Sequence, residues 1–136
     1  MKYWIVKSPF RTRTWNDVLT SGVFQLYGIR NHQARKNISK MGKGDLALFY
    51  SSAEGRKILG IMRVASSPFG DPTSESNKWL AVKFKPFKTF EKPVSRSDIK
   101  EHSSLFQIRL IKQPRLSVVQ ISAKEFQLIE SLSNNK

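Results

Sequence analysis

The chain has 136 residues, long enough to enclose one hydrophobic core and too short for two. Its 24 Lys and Arg against 10 Asp and Glu leave a formal charge of +14, a surface that attracts polyanions such as nucleic acid or acidic lipid. It has no cysteine, which excludes disulfide scaffolds, thiolate zinc sites and cysteine nucleophiles together, and no apolar run approaches the roughly 20 residues needed to cross a bilayer.

In chain order, "KYWIVK" is apolar and β-branched and stops at "SPF", where the proline biases Ser8 away from helix, so it predicts a first strand. "TWNDVLTSGVF" begins with Thr14 as N-cap and Asp17 three residues later, and Gly22 stops it, predicting a short helix that carries Trp15 at its start. "NHQARKNISKMGKG" predicts a second helix, capped by Asn31, with Ala34, Ile38 and Met41 as its buried stripe and Gly42 at C′. "LALFY" and "ILGIMRV", joined by the polar turn "SSAEGRK", predict antiparallel strands. "WLAVKFKPF" alternates Leu80, Val82 and Phe84 with Lys83 and Lys85, a strand with one wet face. "SRSD" opens a helical turn, "LFQIRLI" and "RLSVVQI" predict strands, and "SAKE" caps a closing amphipathic helix with Phe126, Ile129 and Leu132. The fold class is therefore α+β in a single domain spanning 1–136, a curved sheet or pseudo-barrel flanked by short helices. "MKYWIVKSPF" is too short and too interrupted for a signal peptide, so the expectation is a soluble cytoplasmic protein, monomeric and without a membrane partner.

The groups of catalysis are sparse. His32 and His102 lie some seventy residues apart with no metal-ligand spacing, no G-x-S-x-G elbow is present, "MGKGD" lacks the spacing of a phosphate loop, and no pair of carboxylates stands out. No catalytic residue, metal or cofactor is expected. The groups of base recognition are abundant: Trp4, Trp15 and Tyr50 offer stacking faces, and Asn31, Gln33 and Arg35 offer amides and a guanidinium for base edges. Each has a structural alternative, since the tryptophans suit a core, Asn31 a helix cap and Arg35 a solvated face. Met1 to Lys43 holds nine basic residues and one acid, Asp17, so Arg11, Arg13, Arg30, Lys36 and Lys40 are the candidate phosphate contacts.

"YWIVKS" at 3–8, Trp15, "GIRNHQARKNISKMGKGDLALFYSS" at 28–52, "ILGIMRV", "DPT" at 71–73 and "RLSVVQISAKEF" at 115–126 resemble the EVE domain family in order and spacing across nearly the whole chain. The resemblance implies a PUA-like fold related to the YTH and SRA readers of modified bases. It implies a nucleic-acid-binding module that takes a modified, for example methylated, base of DNA or RNA into an aromatic-walled pocket. Carried over by position, that pocket is lined by Lys7, Ser8, Trp15, Asn31, Gln33, Ala34, Arg35, Tyr50 and Ser51, with Pro72 and Arg115 beside it. Three positions depart from the family pattern: Pro9 stands where K-S-E-P has its acid, Leu26 and Tyr27 precede "GIRN" where a tryptophan is common, and Y-H-S is Tyr50, Ser51, Ser52. A module for free nucleotides or nucleosides, and a nucleic-acid-processing enzyme, are the alternatives.

Overall fold

The computed structural model describes residues 1–9 and 13–134. Strand β1 (Tyr3–Lys7) lies between β3 (Leu46–Ser51), to which it is parallel, and β7 (Val118–Ile121), to which it is antiparallel. A parallel pair cannot be closed by a hairpin. The crossover from β1 to β3 accordingly carries α1 (Trp15–Ser21), β2 (Phe24–Leu26) and α2 (His32–Ser39). The rest follows as β4 (Lys57–Val64), β5 (Phe69–Gly70), β6 (Leu80–Ser95), α3 (Arg96–Glu101), α4 (Arg109–Lys112), then β7 and α5 (Ala123–Ser133). The sheet order is β2-β6-β4-β3-β1-β7, with β5 paired to β6. Shifts of register along β4 and β6 bend the sheet into a curled half-barrel with short helices around it, the α+β class expected.

Three helices start on capping boxes: Thr14 with Asp17, Ser95 with Asp98, and Ser122 with Glu125. Asp45, though buried, is fully engaged: its carboxylate accepts from the backbone N–H groups of Lys2 and Gly42 and from Trp4 Nε1, at 3.1, 2.8 and 3.1 Å. Burial pushes its pKa up, but these donors outweigh that and hold it below the ordinary carboxylate range. The carboxylate thereby fastens the start of β1 to the turn that leads into β3.

The structure corrects the sequence reading in several places. "LFQIRLI" is not a strand. Its backbone closes i→i+3 and i→i+4 bonds from Leu105 to Lys112 and ends in α4, because Leu105, Ile108 and Ile111 recur every three residues and face the core together. Gly42 is not a C′ glycine: α2 ends at Ser39 with Lys40 as cap, and the Gly42 N–H goes to Asp45 instead. β6 runs well past "WLAVKFKPF" to Ser95, and the short strands β2 and β5 carry no periodicity of their own to announce them.

Trp15, open between core and ligand in the sequence, is 5% exposed. Its Nε1 donates to Thr89 Oγ1 at 3.0 Å, its ring tilts against Phe49 at 5.2 Å, and its six-membered edge lies on the bare backbone of Gly60. A Cβ on Gly60 would stand 2.4 Å from Trp15 Cζ2 and 2.6 Å from the Lys88 carbonyl. Helix α1 is thus pinned to β4 and β6 through one indole. Gly60→Ala is expected to cost about 3 kcal/mol of stability through overpacking, and Trp15→Ala about 3–5 kcal/mol through the cavity it leaves. Urea denaturation followed by Trp fluorescence and circular dichroism measures both; a loss under 1 kcal/mol in either would show that the indole does not lock α1 to the sheet.

Candidate functional site

One end of the sheet collects the C-terminal ends of β1, β3 and β6 and the N-terminal ends of β4 and β7. The register proves it, since Lys7 stands opposite Tyr50, Ser51 opposite Lys57, Lys57 opposite Ser95, and Val6 opposite Val118. Three adjoining cavities open there. The first, about 310 Å³, is lined by Lys7, Tyr50, Ser52, Arg56, Arg96 and Pro114. The second, about 360 Å³, shares Pro114 and adds Asn31, Gln33, Gln113, Arg115 and Leu116. The third, about 310 Å³, shares Gln33 and runs along α2 past Lys36, Asn37 and Lys40, facing Arg109 and Gln120. Sharing Pro114 and then Gln33, they lie in a row as one groove: cations with Tyr50 in the first, amides beside Arg115 in the second, and amides mixed with Lys36, Lys40 and Arg109 in the third.

Local geometry holds the lining in place. The Lys7 ammonium donates to the Pro114 carbonyl at 2.5 Å and sits 5.6 Å from the Tyr50 ring centre. Burial, and then the Arg96 guanidinium, lower the Lys7 pKa. Burial raises the Tyr50 pKa against the opposing pull of Arg96 and Arg56, which keeps its hydroxyl a proton donor. Gln33 and Gln113 exchange two amide bonds at 3.3 Å, and Arg109 Nη1 donates to Gln113 Oε1 at 2.9 Å. Asn37 Nδ2 donates to the Val118 carbonyl at 2.7 Å and so seats α2 on the exposed edge of β7.

Of the residues implied by the family resemblance, the groove takes Lys7, Tyr50, Asn31, Gln33 and Arg115, and of the candidate phosphate contacts it takes Lys36 and Lys40. Ser8 adjoins it, its N–H donating to the Tyr50 carbonyl at 2.9 Å. Ser51 is fully buried next to Tyr50, and its Oγ makes no hydrogen bond among the described residues. Asn31 also caps α2, accepting from the Ala34 N–H at 2.9 Å, and Ala34 itself faces the core. Trp15 lies in the core as described. Arg35 turns away, its Nε donating to the Lys78 carbonyl. Arg13 donates to Ser21 Oγ and the Val23 carbonyl at the end of α1. Arg11 lies outside the described residues.

Arg30 and Pro72 belong to a clamp beside the groove. Asp71, 3% exposed, accepts from Arg30 Nη1 at 3.0 Å, from the Gly28 N–H at 2.7 Å, and from the Thr73 N–H and hydroxyl at 2.7 and 2.6 Å. Gly28 has φ +78°, a conformation glycine adopts without strain, and it turns the chain from β2 into the α2 cap. Pro72 is the exposed corner of the "DPT" turn. Trp79 lies against this clamp, with Arg30, Lys78 and His32 around its ring at 5.6, 5.2 and 5.1 Å.

Sequence reasoning missed Arg56, Arg96, Arg109, Gln113, Pro114 and Gln120. "KQPR" at 112–115 carried a loop signal, since proline and polar residues interrupt two apolar runs. Nothing local to Arg56 or Arg96 shows that they meet; the β4–β6 pairing brings them together.

Comparison with known proteins gives a consistent result. The family model described as the EVE domain matches residues 2–132. Among curated proteins the chain is similar to thymocyte nuclear protein 1 of Gallus gallus, 26% identical over 132 residues, covering 80% of this chain and 54% of that one. The chain thus spans about half the length of that relative. Among solved structures, protein Rpa0253 of Rhodopseudomonas palustris is 32% identical with a TM-score of 0.92, over 98% of this chain and 94% of that one. Human THYN1, solved in complex with DNA containing 5-methylcytosine, has a TM-score of 0.90 at 20% identity, over 100% of this chain and 99% of that one, a likeness of fold.

The clamp makes a pH prediction. Burial raises the Asp71 pKa, but the bonds from Thr73, Gly28 and Arg30 outweigh it and bring the value from 3.8 to about 2. A carboxyl whose folded pKa is depressed stabilises the fold above its unfolded pKa and loses that contribution as pH falls towards the folded one. Between pH 5 and pH 2, then, the fold is expected to lose about 2 kcal/mol through this group. Asp71→Asn should be less stable at pH 7 and flatter across the same window, as urea denaturation at stepped pH reads directly. An unchanged acid profile in the variant would remove Asp71 from the account.

Proposed function

Because the chain belongs to the EVE domain family, we propose that it is a non-catalytic nucleic-acid-binding module that receives one modified base in the groove. The observation that carries this reading is the groove's lining, which sets side-chain amides next to cations along its length with no carboxylate among the lining residues. Asn31, Gln33 and Gln113 supply the donors and acceptors that base edges require. Lys36, Lys40 and Arg109 supply positive charge along α2 for the adjoining backbone. The methylated DNA held by human THYN1, which shares this fold, supports a methylated base as the first ligand to test.

The energetics require both parts. Extruding a base costs a few kcal/mol, and a methyl group in a pocket returns about 1–3 kcal/mol of discrimination, so phosphate contacts must supply affinity. Binding is therefore expected to be steeply salt-dependent.

Fluorescence anisotropy with DNA and RNA oligonucleotides, plain or carrying a single 5-methylcytosine, tests the reading. The methylated strand should bind more tightly by roughly tenfold or more. Gln33→Ala should erase that preference, whereas Lys36→Ala with Lys40→Ala should weaken methylated and plain strands alike and flatten the salt slope by about 2. Equal affinity for plain and methylated strands in the parent protein overturns base reading for this modification. Tight binding of the free nucleoside that no oligonucleotide improves on would favour a small-molecule module instead.

A further inference from the structure

Lys7, Arg56 and Arg96 line the first cavity of the groove together with Tyr50 and Ser52. The Arg96 N–H donates to the Arg56 carbonyl at 2.9 Å, which ties the β3–β4 turn to the start of α3, and both residues line the same cavity. Among the described residues, ion pairs join Arg30 to Asp71 and Lys88 to Glu130, and neither Lys7, Arg56 nor Arg96 is within ion-pair distance of a carboxylate. The Lys7 ammonium, donating to the neutral Pro114 carbonyl, has no charge partner of its own.

Arg56 also sits at φ +57°, immediately after Gly55 at φ +90°. A long side chain in the left-handed region is strained, and glycine would fill the position with none. The β3–β4 turn requires positive φ there, and an arginine carries it at a strain that glycine would not.

We infer that the Lys7, Arg56 and Arg96 end of the groove is a subsite for one anionic oxygen group, the phosphate attached to the nucleotide whose base occupies the amide compartment beyond Pro114. The inference rests on the base-reading proposal and names what that groove holds besides the base. Three cations and a protonated tyrosine hydroxyl offer an oxyanion charge-assisted donors from several directions. Burial, and after it repulsion from Arg96, disfavours the charged Lys7 ammonium, and an entering anion offsets both. Two sources present this chemistry: the backbone phosphodiester beside the extruded base, to which the proposal commits, and an acidic substituent such as a 5-carboxyl group on the base itself.

The test uses the full chain, the variant Arg56→Gly with Arg96→Gln, and a charge-matched control, Lys92→Gln with Lys124→Gln, whose residues line none of the three cavities. Arg56→Gly relieves the left-handed strain, so the variant's thermal midpoint guards against an effect through unfolding. Anisotropy is read with oligonucleotides carrying 5-methylcytosine flanked by natural phosphates or by a neutral methylphosphonate on its 5′ or 3′ side, and with 5-carboxylcytosine. In the parent, neutralising one of the two phosphates should weaken binding about tenfold, and the Arg56 and Arg96 variant should lose that same factor, flatten its salt slope by about 1, and be indifferent to the methylphosphonate. The control should keep the full sensitivity. Equal methylphosphonate sensitivity in parent and variant overturns the subsite, and a parent gain for 5-carboxylcytosine that the variant loses, with no phosphate effect, reassigns it to the base substituent. Failure of base reading shows separately, as equal affinity for methylated and plain strands. In that event, deoxycytidine 5′- and 3′-monophosphates still decide the subsite: one of them should shift the Arg56 and Arg96 Nε–Hε resonances where deoxycytidine does not, and no shift with either overturns it.

Discussion

The parallel pairing of β1 with β3 is the constraint on which the rest depends. It sets Lys7 beside Tyr50 and sends residues 8–45 on a long detour before β3 can form. That detour deposits α2 along the β7 edge, with Asn31 and Gln33 at the mouth of the sheet and Lys36 and Lys40 further along. A hairpin in place of the crossover would bring Lys7 against the opposite end of its neighbour, and the groove would have no wall. Asp45 and the Asp71 clamp secure this detour at two points, one at its end before β3 and the other midway, where β2 turns into α2.

Those two carboxylates and the cations they face show two uses of charge in one chain. Asp71 is buried and accepts from the half-exposed Arg30 together with Gly28 and Thr73, so its charge is matched within the fold. Lys7, Arg56, Arg96, Lys36 and Lys40 instead stand on the groove without carboxylate partners among the described residues. Unpaired like charges at close range lower fold stability. Their retention in the groove is intelligible when the counter-charge arrives with a ligand. Pro9, where the EVE pattern has an acid, takes a carboxylate away from the same strand end and tips its balance further towards cations.

Much of the local structure was legible because its causes are local. Each capping box names its partner three residues away, and β1, β3 and β4 carry apolar runs that admit little but a buried strand. The 105–112 segment was misread because a short apolar run has too few residues to separate period two from period three. The site was legible only in halves. Asn31, Gln33 and Tyr50 are candidates by side-chain chemistry and Lys7 by the resemblance to a family, whereas Arg56, Arg96 and Gln113 are brought in by pairings between distant strands and by a loop whose path no periodicity describes.

Trp15 shows why chemical type alone does not place a residue. An indole after a basic stretch has the right face for stacking on a base, and here Gly60 lacks the Cβ that would keep it out of the core. Trp4 is fully buried as well, so among the described residues Tyr50 is the aromatic side chain that lines the groove, with Trp79 at the Arg30 clamp. Tyr50 is itself nearly enclosed and offers chiefly its hydroxyl. Recognition in such a groove leans on amide hydrogen bonds for identity and on cations for grip, and the balance matters. Amides left unpaired by a wrong base are costly to bury, whereas a missing methyl forfeits only its own transfer energy. In the proposed base-reading role, such a groove would discriminate more strongly between bases than between a base and its methylated form.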